Sequence, residues 1–257
     1  MLTRSILIIT MSCFLLASCA SNQVSKDKSR ALRAARANTQ LGIEYLRTGD
    51  YELSRKRLAK AIQQAPDYAG AHDAIAVLYE RVNKMGMAEK HYKKSLRLDS
   101  KNSAARNNYA QFLCKTDRSN EAVTEFETSA DNPFYRTPWV PLTNAGVCMV
   151  RVPDKDKAVE YFERALQLQP EYAPALLQMG LLNYTKGKYL SVRAYLQRFQ
   201  QVAPHTAESL WLAIRTEYSL SDHQAWGNYA IKLKNAFPKS EQYVLLQEWE
   251  NERRSGH

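Results

Sequence analysis

The chain has 257 residues, 45% hydrophobic and 24% charged, which is enough for one large domain or an array of repeats. Lys and Arg outnumber Asp and Glu by 36 to 26, but the excess is spread along the sequence, which argues against specific nucleic-acid binding. The four cysteines include no CxxC pair and no histidine has a second ligand at metal spacing, which argues against zinc.

Residues 1–18, MLTRSILIITMSCFLLAS, have the pattern of an export signal. Arg4 is the basic start, and residues 6–16 form an apolar stretch that is too short for a transmembrane helix. The junction Leu16-Ala17-Ser18-Cys19 resembles the bacterial lipobox, in which the cysteine thiol receives a diacylglyceryl group and cleavage occurs before it. An ordinary secretory signal that happens to contain Cys19 is the alternative.

The residue after Cys19 is Ala20 rather than Asp. By similarity to lipoprotein sorting in many Gram-negative bacteria, this implies anchoring in the outer membrane, facing the periplasm. Several acyl chains hold a protein stably on a membrane, whereas one chain gives marginal binding. We predict that residues 19–34 are the lipidated N-terminus and a flexible tether.

The remainder of the chain repeats with a period of 34 residues. Similar positions recur at Pro66, Ser100, Pro170, Pro204 and Pro238, with one two-residue insertion. The predicted repeats are 35–68, 69–102, 103–138, 139–172, 173–206 and 207–240. Residues 241–257 are predicted to be a capping helix and tail.

Within this frame the residues match the tetratricopeptide repeat (TPR). Repeat one carries Leu41, Gly42, Tyr45, Leu58 and Ala61 at the consensus positions, where small residues let two helices approach and large ones fill the seam. Gly49 and Gly187 fall between helices, where a left-handed backbone is needed. Repeat six departs from the pattern because Trp226 replaces a small residue. The fold class expected is all-α, a superhelical solenoid of six TPR helix-turn-helix repeats plus a C-terminal capping helix; the alternative is a generic helical bundle.

First helices of TPR hairpins line an inner groove, and their side chains give a candidate protein-binding surface. Amides can bond an extended peptide, and aromatic side chains can anchor a partner. The predicted groove residues are Gln40, Asn107, Asn108, Gln111, Thr143, Asn144, Gln178, Leu177, Leu181, Tyr184, Trp211, Leu212 and Tyr218. Alternatively, the aromatic residues only pack on the capping helix.

Nothing in the sequence indicates catalysis. It has no Ser-His-Asp arrangement, phosphate-binding Gly-rich loop or HExxH motif, and His72, His91, His205 and His223 are expected to be isolated. We therefore expect no enzyme activity, cofactor, metal or small-molecule substrate.

Cys114 and Cys148 remain as thiols in the mature chain and fall on the first helices of neighbouring repeats. An oxidising periplasm and an even cysteine count favour a disulfide between them. Two buried thiols that fill a seam are the alternative.

The segment from Asn107 to Cys148, NNYAQFLCKTDRSNEAVTEFETSADNPFYRTPWVPLTNAGVC, resembles the PilF/PilW family of TPR lipoproteins. The lipobox, length, six repeats, paired cysteines and N-P-x-Y…N-A-G-x-C segment carry the resemblance. It implies a pilotin-like protein that binds the outer-membrane secretin subunit and other pilus assembly proteins, and that supports pilus biogenesis, stability and twitching motility. The alternatives are another TPR lipoprotein adaptor, for outer-membrane protein assembly or peptidoglycan enzymes, and a hydrolase accessory with cryptic catalysis.

Overall fold

The computed structural model describes residues 26–152 and 155–255, and its regular elements there are all α-helices. The predicted signal peptide, Cys19 and residues 20–25 lie outside the described residues. The helices are α1 (26–47), α2 (Tyr51–Gln64), α3 (Ala69–Arg81), α4 (Met85–Leu98), α5 (Ser103–Lys115), α6 (Ser119–Ala130), α7 (Trp139–Met149), α8 (Asp156–Leu168), α9 (Ala173–Thr185), α10 (Tyr189–Val202), α11 (Ala207–Ser219), α12 (His223–Ala236) and α13 (Glu241–Ser255).

Two compact units make up the chain, one ending at Thr116 and the other beginning at Asp117. The first contains α1 to α5 and the second α6 to α13. The predicted all-α TPR fold is confirmed, with one helix pair for each predicted repeat and α13 after the last pair. Within the described ranges, no helix is long and apolar enough to cross a membrane.

Helix α1 is longer than the sequence predicts. It begins at residue 26, nine residues before the first predicted repeat, so the tether predicted over 19–34 is wrong for residues 26–34. The segment ALRAARA is rich in strong helix formers, and its Ala35 is fully buried with Ala61 and Ala71. Local propensity and packing therefore extend the helix toward the N-terminus.

The turn between the two helices of a hairpin has the same backbone conformation in five repeats. Counted from the first residue of each predicted repeat, the residue at position 15 has a positive φ in each: Gly49 (83°), Asn83 (57°), Asp117 (59°), Gly187 (69°) and Ser221 (61°). The left-handed prediction for the two glycines is confirmed. The other three positions reach this conformation without glycine, and Asn and Asp are the residues that tolerate it best.

In the first unit, α1 and α2 meet at a glycine. A Cβ added to Gly42 would lie 2.6 Å from Cγ of Leu58, which is fully buried. Beside this contact the Ser54 hydroxyl donates to the Gly42 carbonyl at 2.8 Å. The small residue predicted at position 8 therefore sets how closely the two helices approach.

In the second unit, the same position is occupied by Gly146 and Gly180. A Cβ on Gly146 would lie 2.5 Å from the ring of Phe162, so α7 packs directly against α8. Helix α13 packs on α11 and α12 through Leu246, which is buried with Leu210. The capping role predicted for this segment agrees with that contact.

Candidate protein-binding surface

The predicted amide residues are placed differently by the structure. Asn107 and Thr143 are buried, and the Thr143 hydroxyl donates to the Trp139 carbonyl of its own helix at 2.8 Å. The prediction that these two side chains line an accessible surface is therefore wrong. The half-buried members are Asn108, Gln111, Asn144 and Gln178, and Gln40 is exposed.

Asn108 is already engaged inside the first unit. Its amide nitrogen donates to both carboxylate oxygens of Asp73, at 3.3 and 3.1 Å. Burial raises the pKa of the Asp73 carboxyl to about 6, and the hydrogen bond from Asn108 opposes that rise. A partner that needs the Asn108 amide would have to displace this carboxylate.

The predicted apolar residues divide between core and surface. Leu177 and Leu212 are buried at 8% and 0% exposure in one cluster, so their prediction as surface residues is wrong. Leu181 and Tyr184 pack on this cluster and stay half-buried. Leu212 also faces Gly180, where an added Cβ would lie 3.2 Å from Cδ2 of Leu212. Position 6 of repeat six therefore supplies core packing.

Trp249 of α13 organises the remaining aromatic residues. Its ring meets the rings of Trp211, Tyr218 and Trp226 edge-on, at centroid distances of 6.1, 4.8 and 5.7 Å. Edge-on pairs are a favoured aromatic geometry. Trp226 occupies a position where the repeat pattern expects a small residue. Its ring contact with Trp249 explains how the larger side chain is accommodated.

Two arginines lie over these rings. The Arg215 guanidinium is 4.6 Å from the centroid of Tyr184 and 5.2 Å from that of Trp211. The Arg253 guanidinium is 4.5 Å from the centroid of Tyr218 and 5.1 Å from that of Trp249. Such contacts orient the cation without neutralising it. We call these residues the aromatic–arginine cluster: Tyr184, Trp211, Arg215, Tyr218, Trp226, Trp249 and Arg253.

Neither arginine forms an ion pair with a described residue. The nearby carboxylate of Glu217 is buried and bound by Arg193 on α10. The Nε of Arg215 is buried and has no hydrogen-bond partner in the described part of the chain. Tyr218 remains 37% exposed. The cluster therefore combines an accessible aromatic face with two unpaired cations, which suits a partner that offers a carboxylate next to an apolar side chain.

The histidines are less isolated than predicted. The Nδ1 atoms of His72 and His91 are 3.0 Å apart, and Nε2 of His72 is 2.8 Å from the Pro66 carbonyl oxygen. Because a carbonyl only accepts, the neutral pair has His72 donating to Pro66 and His91 donating to His72. Burial lowers the pKa of His91, with His72 and Lys90 adding to the effect. Among the described residues there is no group of three or more side chains that could hold a metal ion.

Phe134 is an exposed aromatic residue that the sequence pattern did not indicate. It follows Asn132 and Pro133 in the connection between α6 and α7, and its side chain is 90% exposed. The Asn132 side chain accepts a hydrogen bond from the Phe134 amide at 3.0 Å, which fixes the turn. The Asn-Pro pair predicts a turn, but it does not predict that the aromatic residue after it is exposed.

Cys114 at the end of α5 and Cys148 in α7 are buried, and neither is a free thiol. The pairing of these two sulfurs with each other stays a prediction.

Known proteins resemble this chain in its repeats and along most of its length. Tetratricopeptide-repeat models match residues 35–68, 69–102 and 154–172, and a further one matches 91–124. Over 226 residues the chain is 31% identical to the type IV pilus assembly protein PilF of Pseudomonas aeruginosa, covering 88% of this chain and 89% of that protein. The chain belongs to the PilF family.

Solved structures agree with PilF-family membership. The structure of Pseudomonas aeruginosa PilF has a TM-score of 0.71 and 31% identity, covering 84% of this chain and 97% of that one. The structure of PilW, described as a widely conserved type IV pilus biogenesis factor, has a TM-score of 0.72 and 26% identity, covering 83% and 98%. A TPR scaffold of the PilF family acts in type IV pilus biogenesis and is not an enzyme.

Proposed function

We propose that this PilF-family chain is a pilotin-like scaffold, anchored to the outer membrane, that promotes localisation and multimerisation of the secretin during type IV pilus biogenesis. The observation that carries the proposal is the 31% identity to PilF across 88% of the chain. TPR proteins act by binding other proteins, so the secretin subunit and other pilus assembly proteins are the partners that we propose.

Cys19 is the proposed anchor. The lipobox-like junction Leu16-Ala17-Ser18-Cys19 supports lipidation, and Ala20 supports retention in the outer membrane on the periplasmic side. A Cys19→Ser variant should lose labelled palmitate and move from the membrane fraction to the soluble periplasmic fraction. Palmitate incorporation at the level of the parent chain would contradict this part of the proposal.

The aromatic–arginine cluster is the proposed docking surface. Unpaired Arg215 and Arg253 would bind a carboxylate of the partner, while the exposed part of Tyr218 would contact an apolar side chain beside it. Truncating an aromatic anchor commonly costs about 2 kcal/mol or more in binding, which is roughly a thirtyfold loss of affinity.

The function is tested by deletion and complementation. A clean deletion should reduce heat-stable secretin multimers in the outer membrane and reduce surface pili, and the parent chain should restore both. Tyr218→Ala should restore them poorly at equal protein level. Tyr51→Ala is the matched control, because Tyr51 is similarly exposed, at 41% against 37%, but lies on α2.

Normal multimers in the deletion strain would contradict the secretin role and favour the alternative, an adaptor for outer-membrane protein assembly or peptidoglycan enzymes. Equal complementation by Tyr218→Ala and the parent would instead place the docking surface elsewhere on a chain that still has this function.

A further inference from the structure

The first eleven described residues of α1 form a strongly basic segment, 26–36, with the sequence KDKSRALRAAR. It holds five cationic residues and one acidic residue, so the prediction of evenly spread basic residues is wrong here. The segment precedes the first repeat, and its Lys26, Arg30, Arg33 and Arg36 are all exposed.

Three of these cations share one side of the helix. Lys26, Arg30 and Arg33 are spaced by four and three residues, which places them one above another on a helix with 3.6 residues per turn. The same side continues through Ala37 to Leu41, which is 44% exposed although it occupies a seam position of the repeat. Helix α1 thus presents a basic row followed by an apolar residue along a single exposed side.

No described residue forms an ion pair with the basic row. Among the described residues, none of Lys26, Arg30 and Arg33 forms an ion pair, and Arg33 bonds only the Ser29 hydroxyl, at 2.7 Å. An unpaired row of like charges raises the free energy of the folded chain through mutual repulsion, and an external anionic surface would relieve it.

We propose that this side of α1 lies against an anionic lipid surface and forms a second membrane contact beside the acyl chains on Cys19. The proposal uses the anchor of the proposed function for its geometry. Six residues lie between Cys19 and Lys26, and the seven residue steps that join the two span at most about 25 Å. A membrane that holds Cys19 is therefore within reach of the basic row, and charge attraction acts once the row comes within the screening length of about 8 Å.

Continuity with the anchor favours lipid over nucleic acid or an acidic protein. Basic helices with an apolar residue on the same side bind membrane interfaces through combined charge attraction and apolar burial. Each basic residue near an anionic membrane contributes roughly a fivefold factor in affinity, so three contribute about a hundredfold.

The test uses the chain from residue 19 onward with Cys19→Ser, so that no acyl chain carries it to the membrane. Cosedimentation is measured with phosphatidylglycerol-containing vesicles and with pure phosphatidylcholine vesicles. Lys26, Arg30 and Arg33 are changed together to Gln, and the matched control changes the exposed Lys84, Lys188 and Lys239 to Gln, which alters net charge equally. Circular dichroism verifies that both triple variants are folded.

We expect binding to the anionic vesicles alone, loss of about a hundredfold in affinity for the α1 triple variant, and near-parent affinity for the control. Salt at about 1 M should abolish the binding. Equal binding to neutral vesicles, equal weakening by the two triple variants, or no binding by the parent chain would overturn the proposal. So would α1-dependent binding to a DNA duplex without vesicle binding. These outcomes are independent of secretin assembly and of palmitate labelling, which test the proposed function separately.

Discussion

Gly146→Ala should destabilise the protein although alanine is the better helix former. The new Cβ would lie 2.5 Å from Cε1 and 2.7 Å from Cδ1 of Phe162, well inside van der Waals contact. Phe162 is fully buried on α8, so its ring has no open space into which it can rotate. The two helices must therefore separate or the ring must adopt a strained rotamer.

The magnitude follows from two opposing contributions. Overpacking of a filled core costs about 1–3 kcal/mol, and replacing glycine within a helix contributes about 0.5–1 kcal/mol in the other direction. The net change is a loss of about 1.3 kcal/mol in the free energy of unfolding, which lowers Tm by roughly 3–5 °C for a chain of this size.

Gly227→Ala is the matched control. Gly227 lies inside α12, and a Cβ there would meet nothing within 4 Å. Its Tm should rise by roughly 1–4 °C, because only the helix propensity changes. Thermal and urea denaturation of both variants is the assay, and Gly146→Ala with Phe162→Leu should show a favourable coupling. A Gly146→Ala variant as stable as Gly227→Ala would refute the close-packing argument.

Other predictions concern three separate parts of the chain. Trp249→Ala removes three edge-on ring contacts and should lower the free energy of unfolding, measured by urea denaturation, by roughly 1.5–4.5 kcal/mol; a change near zero would contradict the role of Trp249 in organising the cluster. The raised pKa of Asp73 means that the folded state binds a proton between about pH 4 and 6, where the unfolded chain has already lost it, so this group makes the protein more stable as pH falls. Asp73→Asn should remove roughly 1 kcal/mol of the stability difference between pH 5 and 7.5, and an unaltered difference would exclude Asp73 as its source. Mass spectrometry of native protein alkylated without reduction should find Cys114 and Cys148 joined by a disulfide, whereas two alkylated cysteines would refute the bridge. The loop of about 34 residues that the disulfide closes should stabilise the folded chain by roughly 3–4 kcal/mol.

The repeat period predicted the helix pairs because each hairpin depends on residues close in sequence. Gly42 and Gly49 show this, since one meets α2 and the other turns the chain toward it. Asn83 and Ser221 occupy the same turn position but carry no glycine signal, and the spacing from Gly49 and Gly187 was the only indication of their left-handed backbone.

Side-chain partners were harder to predict than helices. His72 bonds His91, nineteen residues away, and Asp73 bonds Asn108, thirty-five residues away. These pairs depend on which sides of two helices face each other and not on local propensity. For the same reason, Leu212 was predicted to line the groove, although it is buried in the core.

Three of the four tryptophans lie in the aromatic–arginine cluster, and Trp139 on α7 is the fourth. Intrinsic fluorescence therefore comes mainly from the proposed docking surface, where the indole rings are close enough to exchange excitation energy. A Trp139→Phe variant would confine the emission to that surface. Docking of a partner, or displacement of Arg253 from the indole of Trp249, could then be followed on the unlabelled protein.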